Sequence, residues 1–234
     1  MVSAVHPTDY IVQNDLDPEF IETVLKRLPW EYDRLFGELS KERQLDDDQK
    51  TEEYNRRRGL CAIEALIFAC GRHKVPYERM RLHYNGQTKV LVRMGRIIIL
   101  QEAIDAFGDP LKSADYKIEL ASTNSTCLQL EFDFGDGRFR HREWSGCILA
   151  VLLHKPAGTD FTKEHKQLGG VALGIPDAHY SHWTRRFDLM EIAMFGRKGA
   201  GWLSNAEDKS VADDQTDNVV VKPKKKNTER ETGR

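Results

Sequence analysis

The sequence predicts an α+β fold, with N-terminal helices and a buried central helix packed on an antiparallel β-sheet. Apolar side chains recur at helical spacing from about residue 18 onward. The segment 60–70 is apolar around nearly its whole circumference, which is typical of a helix in the middle of a fold. Alternating or continuous apolar runs dominate the second half of the chain and favour strands. Helices followed by strands is the order of an α+β protein.

The first helices are predicted from their start signals. Residues 1–17 are polar and are predicted to form a flexible N-terminus. Asp17 suits an N-cap and Pro18 suits the first helical position, so a helix is expected to begin there. Pro29 is expected to end that helix and to begin a second one, because proline cannot donate an intrahelical hydrogen bond. Residues 41–58 are nearly all polar and predict a solvated helix or a linker.

The buried helix is predicted to begin directly after Gly59, which closes the polar stretch. Cys61 would then lie in the first turn of that helix. Gly71 is a natural terminator, and the three basic residues that follow it suit the negative end of the helix dipole.

The remaining pattern predicts a sheet, with two short helices at 101–107 and 189–195. Apolar and polar residues alternate cleanly over 128–134, the turn Gly135-Asp136-Gly137 follows, and a second run covers 139–144. This pattern predicts a hairpin over 128–144. The predicted strands are 90–92, 97–100, 116–120, 128–134, 139–144, 147–153, 171–175 and 179–187.

The composition changes beyond Trp202, so the domain is predicted to span 18–202 and a disordered charged tail to span 203–234. Acidic residues dominate from 207 to 217, and a basic cluster follows. That cluster consists of Lys222, Lys224, Lys225 and Lys226. It resembles a nuclear import signal and could attract nucleic-acid phosphates weakly, although short lysine runs also serve only for solubility.

Composition excludes several functional classes. The net charge is −2, with 35 basic and 37 acidic residues, so no global field favours nucleic acid or an anionic membrane. No apolar run approaches the roughly 18–20 residues that span a bilayer, and the N-terminus lacks the features of a signal peptide. Three of the four cysteines lie in apolar runs, which indicates free thiols in a reducing compartment. An intracellular protein, in cytoplasm or nucleus, with no membrane partner is therefore expected.

Cys61 is the best candidate for a chemically active residue. A thiol becomes nucleophilic when its thiolate is stabilised, and the first turn of a helix provides that stabilisation. The preceding Arg56, Arg57 and Arg58 would lower the thiol pKa further. The alternative interpretation is a small core residue, since the same apolar helix also contains Cys70.

A nucleophilic cysteine also needs a base, and the candidates are His179 and His182. On a strand their side chains would point to opposite faces, so only one of them is expected to reach the thiol. His179 is preferred because it lies at the strand entrance, where a cleft is more common. Asp188 or Asn205 would be the third, orienting group.

These residues resemble those of papain-like cysteine peptidases, including the ovarian-tumour-type deubiquitinases. Gly59-Leu60-Cys61, with Ala65-Leu66 behind it, is similar to the cysteine entry into their apolar helix. His179-Tyr180 is similar to their late histidine–aromatic pair. The resemblance implies a central helix on a sheet, Cys61 as nucleophile and a histidine as base.

Two functions from different classes follow. The first is a non-catalytic interaction module that binds protein, with nucleic acid as a further partner through the basic tail. The second is a papain-like cysteine hydrolase or peptidase with a Cys–His pair. No cofactor and no metal site are predicted, because Asp177, His179 and His182 lack the two tight ligand pairs usual for zinc. The module requires Cys61 to be enclosed by the core, whereas the enzyme requires an imidazole within reach of the thiol.

Overall fold

The computed structural model describes residues 6–82, 86–128 and 146–196, and only the backbone of 126–128. These residues form six helices and a six-stranded sheet, which confirms the α+β class. The helices are α1 (Pro7–Asp15), α2 (Pro18–Ser40), α3 (Asp47–His73), α4 (Asp115–Leu128), α5 (Lys163–Lys166) and α6 (Leu189–Phe195). The strands are β1 (Tyr77–Arg81), β2 (Thr88–Met94), β3 (Ile97–Ala103), β4 (Ile148–Pro156), β5 (Leu168–Pro176) and β6 (Trp183–Asp188).

The strands lie in the sheet in chain order, from β1 to β6. Neighbouring strands are antiparallel except β3 and β4, which pair in parallel from Ile97 opposite Ile148 to Ala103 opposite His154. The connection between those two strands contains α4, as a parallel pair requires a crossover. The predicted antiparallel sheet is therefore correct for four of its five pairings.

The sheet buries side chains on both faces. One face carries α1, α2, α3 and α6, whose buried residues join the inward side chains of β2 to β6 in a single cluster. The opposite face carries α4 and the segment after β3, which form a smaller cluster. Asn124 attaches α4 to this second face: its side chain accepts from the backbone N–H of Leu149 (2.6 Å) and donates to the carbonyl oxygen of Pro176 (2.7 Å).

Helix α3 is 27 residues long and begins well before the predicted start. Asp46 caps it through a capping box with Gln49, in which each side chain satisfies the other residue's backbone N–H. Gly59 consequently lies inside the helix, and the interpretation of Cys61 as a first-turn residue is wrong. The helix ends at His73, and Lys74 caps it: its φ is 56°, in the left-handed region, and its N–H donates to the carbonyl oxygen of Cys70.

Two predictions about the N-terminal helices are also wrong. Pro29 is exposed and lies inside α2, which continues past it to Ser40. Helix α1 occupies residues 7–15, where a flexible segment was expected, because Ile11 and Val12 are buried against the sheet face. Asp15 then fixes the end of α1 through two hydrogen bonds from the Arg96 guanidinium, at 2.7 and 2.9 Å.

The strand predictions hold where apolar runs are continuous and fail where the pattern is short. Residues 90–92, 97–100, 148–153 and 171–175 lie in β2, β3, β4 and β5, with Cys147 of the predicted strand 147–153 just before β4, and 189–195 is helix α6 as predicted. Residues 101–103 extend β3 instead of starting a helix, and 116–120 belong to α4. Apart from Leu128, the predicted hairpin at 128–144 lies outside the described residues, as does the tail at 203–234.

Candidate functional site

Cys61 lies near the middle of α3, on the helix face that packs against α2 and the sheet. Its side chain is 2% exposed, and its sulfur approaches the carbonyl oxygen of Glu31 at 3.5 Å. Among the described residues, no hydrogen bond, ion pair or ring contact joins Cys61 to a histidine. The thiol is thus enclosed by core side chains, the arrangement that the non-catalytic hypothesis requires.

The surroundings of Cys61 oppose a thiolate. Burial raises its pKa to about 12, and the negative charge of Glu31 adds to that shift. The arginines expected to activate it form ion pairs elsewhere, and the charge of Arg57 lowers the thiol pKa by less than burial raises it. Arg56 pairs with Glu53, and Arg57 pairs with Glu38.

His179 and His182 lie in the turn that joins β5 to β6, not on a strand, and both are exposed. Asp177 organises this turn. Its carboxylate accepts from the backbone N–H groups of His179 (3.3 Å), Ser181 (2.6 Å) and His182 (3.1 Å). Partial burial works against ionisation of Asp177, but the bonds from His182, Ser181 and His179 outweigh it and lower its pKa to about 2. The prediction of a strand at 179–182 is wrong because this carboxylate closes a turn there.

The remaining predicted site residues are not brought to Cys61. Asp188 is the N-cap of α6, where its carboxylate accepts from the backbone N–H of Met190 at 2.7 Å. Asn205 and the tail lysines Lys222, Lys224, Lys225 and Lys226 lie outside the described residues.

An open groove of about 450 Å³ runs along the outer side of α2 and α3. We call it the α2–α3 groove. The residues of α2 that line the groove recur at three- to four-residue spacing, so they lie on one face of the helix. The lining residues are Glu19, Glu22, Thr23, Lys26, Arg27, Trp30, Phe68, Arg72 and His73.

One end of the α2–α3 groove is aromatic. Trp30 is 49% exposed and Phe68 is 45% exposed, although large aromatic side chains normally bury most of their area. The Arg27 guanidinium lies between them, 3.8 Å from the centroid of the Trp30 ring and 4.8 Å from that of Phe68. Glu31, which is almost fully buried, accepts from Arg27 Nε at 2.8 Å and holds the cation in place.

The charges along the groove are unevenly distributed. Lys26 pairs with Glu22 at 2.6 Å, and both lie toward the N-terminal end of α2. Arg72 is exposed, lies one helical turn beyond Phe68 and forms no ion pair with a described residue. His73 bonds to the Thr23 hydroxyl at 2.7 Å. The groove therefore presents two exposed rings and a cation that has no ion-pair partner in the described part of the chain, a surface suited to binding.

Sequence reasoning placed Trp30 on a helix face but missed its pairing with Phe68. Phe68 lies within the apolar run 60–70, where nothing in the pattern distinguishes a core residue from an exposed one. The exposed positions Leu60, Glu64 and Phe68 recur every four residues, and this spacing was the available signal for a solvent-facing stripe.

The described residues contain neither a metal-binding cluster nor a membrane-spanning helix. No group of three or more His, Cys, Asp or Glu side chains is placed to hold a metal ion. No helix there is long and apolar enough to cross a membrane.

Comparison with known proteins adds no functional assignment. No family model matches the chain, and neither curated proteins nor solved structures give a match.

Proposed function

We propose that this protein is a non-catalytic interaction module that binds an acidic segment of a partner protein in the α2–α3 groove. The observation that carries the proposal is the pair of half-exposed rings, Trp30 and Phe68, with the Arg27 guanidinium fixed between them. Tryptophan and arginine are the side chains that most often dominate the binding energy of protein interfaces.

The aromatic end is pre-organised for binding. The Glu31 carboxylate is 1% exposed and accepts from both Arg27 and Arg34, each at 2.8 Å. A guanidinium that is already oriented loses less conformational entropy when a partner arrives. An apolar side chain of the partner can pack on the exposed rings, while a carboxylate pairs with the guanidinium groups.

The charge distribution favours a protein over a nucleic acid. Arg72, one helical turn beyond Phe68, forms no ion pair with a described residue and complements a single carboxylate or a short acidic run. Farther along the groove the lining contains Glu19 and the Glu22–Lys26 pair, so the cationic part of the lining is short. A peptide with local acidic charge matches that short cationic part better than a long polyanion does.

The alternative, a papain-like hydrolase, gains no support from the position of its nucleophile. Cys61 is enclosed, has a pKa raised to about 12, and has no described contact with His179 or His182. Catalysis by this thiol would require α2 to move away from α3, because the Glu31 carbonyl oxygen lies against the sulfur.

The proposal is tested by selecting random peptides on the folded protein. We expect enriched peptides to combine an aromatic or aliphatic residue with Asp or Glu, and the best one to lose at least about tenfold in affinity on Phe68→Ala. Tyr77→Ala is the matched control, since Tyr77 is a similarly exposed aromatic residue (41%) on β1 that does not line the groove.

Two results would overturn the proposal. One is a selected peptide that binds the Phe68→Ala variant as tightly as the parent protein. The other is an assay in which a single-stranded oligonucleotide binds at the groove and no peptide does, which would make the partner a nucleic acid.

A further inference from the structure

A second group of polar side chains lies inside the fold, at the carboxyl ends of the parallel strands β3 and β4. Gln101 is 2% exposed, His154 is 0% exposed and Arg58, from α3, is 6% exposed. In the parallel register Ala103 lies opposite His154, so Gln101 and His154 share the sheet face that α3 covers. We call these three residues the polar cluster.

Helices α2, α3 and α5 enclose the polar cluster with aromatic and cationic side chains. The Tyr32 hydroxyl is 2.6 Å from His154 Nδ1, and the Tyr32 ring packs edge-on to Tyr54 with centroids 6.2 Å apart. Tyr54 lies one helical turn before Arg58 and donates its hydroxyl to the carbonyl oxygen of Lys166. The Lys166 ammonium lies 5.1 Å from the Tyr54 ring centroid.

Each member of the polar cluster has a buried atom without a hydrogen-bond partner among the described residues. These atoms are Arg58 Nε, His154 Nε2, and both Nε2 and Oε1 of Gln101. Buried polar atoms are nearly always paired with protein, water or a ligand. Four such atoms from three residues that the fold brings to one place indicate an occupant.

The hydrogen positions on His154 are assigned from its contact with Tyr32. The hydroxyl of Tyr32 has no other partner among the described residues, so we assign it as the donor to Nδ1 of His154. Burial, and then the positive charge of Arg58, lower the His154 pKa to about 3, so the ring is neutral. A neutral ring that accepts at Nδ1 carries its hydrogen on Nε2. The polar cluster therefore offers donors from Arg58 Nε, His154 Nε2 and the Gln101 amide, and one acceptor, Gln101 Oε1.

The interior around the polar cluster also carries excess positive charge. Arg58 and Lys166 are both buried, whereas the carboxylates that act on them are exposed. Asp105 binds Arg58 Nη2 with its side chain 66% exposed, and Asp160, which acts on Lys166, is 69% exposed. Lys166 Nζ donates to the carbonyl oxygen of Thr159 at 2.6 Å, which is a neutral partner. An anion would complement these charges.

We propose that the polar cluster is a binding site for hydrogen phosphate, held by Arg58, His154 and Gln101. The phosphate oxygens accept from the three donors, and its acidic hydroxyl donates to Gln101 Oε1. The exposed member of the ion pair with Arg58 is Asp105, whose carboxylate repels the phosphate. The site lies on the inner side of α3 and is independent of the α2–α3 groove, so either can fail without the other.

The test is a titration of the full chain with inorganic phosphate, followed by the NMR signals of the His154 ring nitrogens. We expect a saturable shift of the Nε2 signal with phosphate. Sulfate has the same shape but no hydroxyl to donate to Gln101, so we expect it to bind at least about tenfold more weakly. Sodium chloride at matched ionic strength should give no saturable shift.

Two variants separate binding from folding. Asp105→Asn removes the exposed carboxylate that competes for Arg58, so it is expected to bind phosphate about tenfold more tightly. Arg58→Lys keeps the charge but loses the Nε donor, so it is expected to bind at least about tenfold more weakly. An Nε2 signal that does not respond to phosphate, or that responds equally to chloride, would overturn the proposal and assign the unpaired atoms to water.

Discussion

The two faces of helix α3 each carry a residue that departs from the ordinary amphipathic pattern, and the two departures are opposite. Its outer face leaves the aromatic ring of Phe68 half exposed, while its inner face buries the guanidinium of Arg58. Surface helices normally place apolar groups inward and charges outward. Exceptions to this pattern occur most often at functional sites. Exposed rings and buried charges lower stability, so they are retained where they serve a function. The outer face points to a partner and the inner face to a small anion.

The largest expected difference between the faces concerns folding stability. Leu66, on the inner face, is 1% exposed and belongs to the main core cluster. Leu66→Ala is expected to lower the free energy of unfolding by about 2–5 kcal/mol, since it leaves a cavity in a packed core. Urea denaturation followed by circular dichroism measures this change.

Phe68→Ala is the matched control on the outer face, two residues further along. It is expected to change the free energy of unfolding by only about 0.5 kcal/mol or less, because half of the ring is already in solvent. Equal destabilisation by the two substitutions would mean that Phe68 belongs to the core and is not a binding residue.

The next effect concerns pH. His154 is neutral in the folded protein, with a pKa lowered to about 3, whereas the unfolded chain gains a proton below the ordinary value of 6.5. The unfolded state therefore binds more protons in that window, and stability is expected to fall by a few kcal/mol as pH drops from 6.5 toward 3. Urea denaturation in phosphate-free buffers measures the slope.

His154→Gln is the control for the pH dependence. This variant should lose the part of the slope between pH 6.5 and 3.8, the ordinary value of Asp177, whose own lowered pKa contributes below that point. A slope in the variant equal to that of the parent would show that His154 does not titrate on unfolding.

A smaller effect is expected from the hydroxyl of Tyr32. Tyr32→Phe leaves His154 Nδ1 buried without its 2.6 Å partner and is expected to cost about 1–3 kcal/mol. The exposed Tyr77 on β1 provides a comparison, since Tyr77→Phe should leave the denaturation midpoint unchanged. A Tyr32→Phe variant as stable as the parent would show that the Tyr32 hydrogen bond does not contribute to the free energy of unfolding.

The smallest expected effect is at Cys61, which should show no reaction with a thiol reagent in the folded protein. Cys61 should resist iodoacetamide at pH 7 in the folded protein, because its thiol is enclosed and its pKa is raised to about 12. Mass spectrometry should find it labelled only after unfolding, as for Cys70, which is 1% exposed with a pKa raised to about 11. Rapid labelling of Cys61 in the folded state would revive the cysteine hydrolase hypothesis.

The sequence predicted the fold class because its apolar runs are long and continuous at 60–70, 97–100 and 147–153. It misplaced the start of α3 because the polar first half carries no apolar stripe. The capping box of Asp46 and Gln49 was the missed signal. Apolar and polar residues alternate over 116–120, and this short pattern predicts a strand. Tertiary packing instead makes the segment part of helix α4.

The two candidate sites could not be read from local pattern. Phe68 faces solvent only because α2 covers the other side of α3. Gln101 and His154 are 53 residues apart and meet because β3 and β4 pair in parallel, a pairing that the alternation of side chains does not encode. Exposure and long-range pairing are properties of the assembled fold.

The most direct test of the account compares Cys61→Ala and Phe68→Ala as binding variants of the same helix. The affinity of the best selected peptide for each would be measured by fluorescence anisotropy, with near-ultraviolet circular dichroism to show that both variants are folded. The account predicts unchanged affinity for Cys61→Ala and a loss of at least about tenfold for Phe68→Ala. Loss of binding on Cys61→Ala with Phe68→Ala unaffected would contradict it and place the function of this helix on its inner face.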